Sequence, residues 1–156
     1  MNIYTPLFAL IFCASALPAA AATPPDPCAT MQKAEAASAL GAPIVKVQSR
    51  SLGPSRSCTM RANGFFKSVL LTTFRWEGVP QAQAAFHSMI ATTATMMKPL
   101  LPVHGLGDEA QRVGPNIYVR KGTAAYVFSV IDGSVGDVKA ARTQAFARKT
   151  MMHVKG

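Results

Sequence analysis

The chain has 156 residues, with 16 Lys and Arg against 7 Asp and Glu and a formal net charge of +9. That length suits a leader and one domain, and a core of this size folds without a metal or a dense disulfide framework. The basic balance points to phosphate-rich or acidic partners, and no complete catalytic, metal or nucleotide motif stands beside it.

Residues 1–22 carry no Lys, Arg, Asp or Glu. An apolar stretch at 7–17, then Pro18, then Ala19-Ala20-Ala21-Ala22 matches the hydrophobic core, helix breaker and small-residue cleavage site of a secretory signal. The stretch falls short of the roughly 20 residues that span a bilayer. Cleavage is expected after Ala22, although the start offers only the α-amino group where a Lys or Arg is usual. Phe12 ahead of Cys13 is too bulky for a lipid-attachment signal. The product is expected to be periplasmic or secreted, without a transmembrane segment once the signal is cut. Cys13 leaves with the signal, so Cys28 and Cys58 remain in an oxidising compartment. One intramolecular pairing is open to them, closing a loop of about 31 residues. The other arrangement, two free thiols acting as a redox pair, lacks a Cys-x-x-Cys spacing.

Residues 23–29 read as a stiff extended lead-in, because each proline fixes its own φ and biases its predecessor away from helix. Helix formers fill 30–41, with Thr30 placed to cap the start and Gly41 to end it. Alternation at 44–50 reads as a half-buried strand, 51–57 as a loop around Gly53 and Pro54, and 57–61 as a second strand with Cys58 and Met60 inward. Asn63-Gly64 signals a hairpin, and 66–76, rich in β-branched and aromatic residues, reads as the longest strand. Helical period returns at 79–98, where Val79, Ala82, Phe86, Met89, Ile90 and Met97 share a face. A loop at 105–107 leads to a short strand at 108–113. Strands at 117–120 and 124–131 then form a hairpin about Lys121-Gly122, and 137–152 closes the chain as a third helix. The order αβββ–αβββ–α implies a single α+β domain over 30–156, an antiparallel sheet with helices gathered on one face. A β-sandwich fits less well, since two of the helical segments are long and well patterned.

An ordered set of short motifs runs through this frame: Cys28, Lys33-Ala34-Glu35-Ala36, Leu40-Gly41, Cys58, Gly105-Leu106-Gly107-Asp108-Glu109-Ala110 and Tyr118-Val119-Arg120-Lys121-Gly122. The set resembles small exported bacterial domains of unknown function, many of them actinobacterial lipoproteins. The resemblance covers nearly all of 23–156 and implies an α+β fold and a Cys28–Cys58 bridge. It brings no catalytic residues. The chain departs from the pattern in lacking the lipid-attachment cysteine and in having Gln32 where a capping Thr is common.

Asp108-Glu109 is the only adjacent carboxylate pair. On a strand the two point to opposite faces, so a structural role is expected: Asp108 capping the glycine-rich turn and Glu109 pairing with Arg120 or Lys121. His87, His104 and His153 have no second ligand at metal spacing. Met96, Met97, Met151, Met152 and His153 supply soft donors that suit Cu(I), yet Met is also the usual filler of irregular cores. No cofactor is expected. Neither a nucleophile elbow nor a phosphate loop occurs, so an enzyme is not expected.

The surface signal is basic. Between 44 and 76 stand Lys46, Arg50, Arg56, Arg61, Lys67 and Arg75, with no acid among them. Strand alternation turns most of them away from the apolar face, towards one positive sheet surface. Phe65, Phe66 and Trp76 nearby would also allow nucleic-acid stacking, a less favoured partner. The leading expectation is a non-catalytic exported domain that holds an anionic envelope component or a protein partner on that face. The alternative is a small-ligand or copper carrier using the Met and His residues.

Overall fold

The computed structural model describes residues 22–64 and 66–155. The expected leader up to its last residue, with Cys13, lies outside them, as does Phe65. Asp26 opens the first helix, α1 (Pro27–Thr30), its carboxylate accepting from the Cys28 amide at 2.9 Å and from that of Ala29. Thr30 therefore does not cap a longer helix. Its hydroxyl donates back to the Asp26 carbonyl, Met31 breaks the turn with extended backbone, and α2 (Lys33–Leu40) starts afresh. Gly41 ends α2 at φ +61, the left-handed stop its position implies.

Strands β1 (Ile44–Leu52) and β2 (Ser55–Ala62) meet over a two-residue Gly53-Pro54 turn, with Gly53 at φ +53. The expected loop at 51–57 is thus mostly strand, its polar serines lying on exposed or half-exposed backbone. At nine residues β1 is longer than β3 (Ser68–Arg75, eight residues), which starts late because Phe66 sits at φ +59 and interrupts the extended chain. Then follow α3 (Val79–Met96), β4 (Leu100–Pro102), β5 (Glu109–Val113), β6 (Asn116–Lys121), β7 (Ala124–Ile131) and α4 (Gly136–Met151).

The strands form one antiparallel sheet in the order β1-β2-β3-β7-β6-β5-β4. The α+β class and the tandem order of elements hold, with helices packing on the sheet; the short edge strand β4 is an addition. The two meanders join through their last strands, β3 against β7.

Alternation along the strands divides the core in two. Leu71, Val119, Phe128 and Val130 pack with Leu40 of α2 and with Phe146 and Met151 of α4. Tyr118, Ala125 and Val113, of opposite parity, pack with Phe86, Ile90 and Ala94 of α3. The helices are therefore not gathered on one face: α3 lies on the side opposite α2 and α4. The cause is legible in β6, where Ile117, Tyr118, Val119 and Arg120 are all buried, as in a strand covered on both sides. Because α3 packs over β5, β6 and β7, one face of β1–β3 has no helix on it among the described residues.

Cys28 and Cys58 are joined, S–S 2.02 Å and Cα–Cα 5.2 Å, tying α1 to β2. The proline-rich lead-in is pinned to the same place, the Thr73 hydroxyl donating to the Pro25 carbonyl at 2.6 Å.

Candidate functional site

The uncovered half-face follows from register, since residues directly opposite in an antiparallel pair share a face. Lys46, Arg61, Ser68 and Ile131 form one row across β1, β2, β3 and β7. Gln48, Thr59, Leu70 and Ser129 form the next, and Arg50, Ser57, Thr72 and Val127 the third. The third row meets the core beneath α3 at Val127, and Phe74, opposite Ala125, lies in that core beyond it. The surface is thus a hydroxyl- and amide-lined plane with cations along its outer edge.

Three of the six predicted cations, Lys46, Arg50 and Arg61, lie on this plane. Arg56 and Arg75 do not. They share parity with Cys58 and Leu71 and fall on the side of α1 and α2, where Arg56 stands opposite Thr73. Lys67 lies in the β2–β3 connection next to the plane, close to Gly64. The expectation that most of the six gather on one surface is narrowed accordingly to three on the plane and Lys67 beside it: the tight Gly53-Pro54 turn puts Arg56 on the opposite parity from Arg50.

At the Lys46–Arg61 end the plane runs into a groove of about 510 Å³ lined by Arg61, Gly64, Phe66, Lys67, Ser68 and Ile131 among others. Phe66 is 77% exposed there and Ile131 39%. Trp76, by contrast, packs beneath α3, stacked on Phe74 at 6.0 Å between ring centres. It is not available to stack a base on the basic plane.

Six of the seven carboxylates are engaged elsewhere. Asp137 pairs with Arg112 at 2.6 Å, Asp108 and Glu109 with Arg120, and Asp132 with Arg142. Glu35 accepts from His153 at 2.7 Å, and Asp26 caps α1. Glu77 follows the far end of β3. Among the described residues none of the six predicted cations forms an ion pair. Lys46, Arg50 and Arg61 thus keep their charge on the plane without a carboxylate partner among the described residues.

The Gly105–Glu109 segment is a latch. The Asp108 amide donates to the Arg120 carbonyl at 2.8 Å, and its carboxylate accepts from the Gly122 amide at 2.7 Å and from Arg120 Nη1 at 3.2 Å. Asp108 thus caps the Lys121-Gly122 turn and not the glycine-rich turn before it, because β6 and β7 bring that hairpin against it; Glu109 stands 3.6 Å from Arg120 Nε, one of the two bases expected for it. Glu109 also holds His87 of α3 at 2.6 Å, a contact between residues 22 apart that no local spacing announces. Gly107 is required: a Cβ there would lie 2.5 Å from the Arg120 carbonyl oxygen, and its φ is +64.

The Met and His residues are not brought together. Met97 lies against Gly114 and Asn116 at one end of β6, whereas Met151 packs under α4 beside Leu106, towards the other end and on the opposite face. Met96 and Met152 are exposed, His153 is held by Glu35, and His104 offers its carbonyl to Arg148. Among the described residues no group of three or more His, Cys, Asp or Glu could hold a metal ion, and no helix is long and apolar enough to cross a membrane.

Asp132 terminates β7. Burial raises its pKa, but the Ser134 hydroxyl and amide and the Arg142 guanidinium outweigh that and hold it below the ordinary 3.8. Its pairing thus contributes stability above that value, lost as pH falls through the depressed folded value. Asp132→Asn is expected to flatten the acid limb of a pH–melting profile below about pH 4, leaving neutral and basic limbs parallel to the parent. An unchanged acid limb would remove Asp132 from acid unfolding.

No protein-family model, curated protein or solved structure matches the chain.

Proposed function

We propose that the protein is an exported, non-catalytic domain that holds an anionic envelope component on the half-face of β1–β3. The observation carrying this reading is the group of Lys46, Arg50 and Arg61 on a plane that no helix of the described residues covers and that bears no carboxylate in its three rows. Cations that lack an internal partner keep their field for a ligand, and a plane of hydroxyl and amide groups adds hydrogen-bond donors to phosphate or sulfate. The Cys28–Cys58 bridge is compatible with an oxidising compartment. Export itself rests on the pattern at 1–22, and with it the likeness to small exported bacterial domains.

The test is binding to lipopolysaccharide and to an immobilised sulfated polymer at low and at moderate salt. Each cation near an anionic surface contributes about 1 kcal/mol, so the K46Q/R50Q/R61Q variant is expected to bind roughly 100-fold more weakly. The parent's affinity should also fall steeply as salt rises. Binding that ignores both salt and the triple substitution would overturn the reading.

A further inference from the structure

We propose that the corner where Phe66 and Ile131 meet Arg61 and Lys67 is a contact site for an anionic lipid surface, with Phe66 entering below the phosphate level while Lys46, Arg61 and Lys67 engage head-group phosphates. The inference rests on the basic half-face reading above and names its partner class.

Three independent features converge on this corner. Phe66 is 77% exposed and held at φ +59, a region that bulky side chains rarely occupy, so the backbone turns a large aromatic outward. Ile131, beside Ser68 across β3–β7, is 39% exposed and adds a second apolar group to the same groove. Arg61 and Lys67 line that groove, Lys46 stands directly opposite Arg61, and no carboxylate lines it.

Apolar groups flanked by cations match the layering of a bilayer interface, where phosphates lie outside and acyl chains within. A single-stranded nucleic acid would instead need aromatics laid along the plane for successive bases. The row next to the groove, Gln48, Thr59, Leu70 and Ser129, has none. A protein partner would want a broader apolar centre than Phe66 and Ile131 provide. The chemistry favours lipid.

The experiment takes the protein as its host accumulates it and measures cosedimentation with phosphatidylcholine vesicles and with vesicles containing phosphatidylglycerol. The parent is expected to bind only the latter, and Phe66→Ser to weaken that binding about tenfold or more, the loss expected when one aromatic side chain no longer leaves water. Its melting temperature should match the parent's. In a W76F background, F66W should be quenched by lipids brominated on their acyl chains. Salt-sensitive vesicle binding without an effect of Phe66→Ser and without quenching would overturn lipid insertion and leave the basic face standing. Binding to a sulfated polymer but to neither vesicle would do the same. Failure to bind polymer and vesicles alike would overturn both readings.

Discussion

The C28A/C58A double variant is expected to be less stable than the parent by about 3–4 kcal/mol, the loop entropy released when a bridge spanning 30 positions is removed. For a domain of this size that lowers the melting temperature by on the order of 10–15 °C. Part of the loss is local. Cys58 is fully buried, and the bridge holds α1 against β2, so the proline lead-in and its Thr73–Pro25 contact should loosen with it. Thermal and urea unfolding with and without reductant measure the effect. A parent protein indifferent to reductant after unfolding and refolding would show the bridge to be dispensable.

The second large effect is expected at Arg120. Its side chain is 9% exposed, donates to Asp108 and to the Gly122 carbonyl, and stands 3.6 Å from Glu109. Arg120→Met keeps the stem and removes the charge, leaving the neighbouring Asp108 and Glu109 carboxylates without the cation they share. Breaking a fully buried pair costs about 3–5 kcal/mol. Asp108 is 49% exposed and Glu109 24%, so solvent screens part of this and the expected loss is about 2–3 kcal/mol. Adding Glu109→Gln to Arg120→Met should recover some of it, because one of the two carboxylates left without Arg120 is then neutral. Guanidinium chloride unfolding of both variants decides. A loss under about 1 kcal/mol would mean that the Asp108 backbone contacts carry the latch alone.

Much of this fold was legible because its signals are local. Gly41 at the end of α2, Asn63-Gly64, Lys121-Gly122 and the Ala82–Phe86–Ile90 stripe of α3 each depend on residues within a turn or two of one another. What was not legible depends on pairing. The face that α3 occupies is decided by which parity of β6 and β7 it meets, and both parities are apolar. The basic plane failed for a sharper reason. Reading 51–57 as a loop discards the register across Gly53-Pro54, and a slip of one residue moves a side chain through the sheet. Arg56 and Arg75 were placed with Arg50 although they stand behind it. The groove at Phe66 needs Ile131, brought beside Ser68 by the β3–β7 pairing from far along the chain.

That pairing has a consequence for the order in which the molecule can assemble. The centre of the sheet, β7, is the last of its strands to be made. On the export reading proposed above, the chain is threaded N-terminus first through a narrow channel and presents β1–β3 early, but β3 keeps an open edge until residues 124–131 emerge. Long-range closure of this kind delays folding, so the sheet stays incomplete until nearly the whole chain has passed. Cys28 and Cys58 lie in the part that arrives first. Oxidation can therefore fasten the leading meander while its missing centre is still in transit.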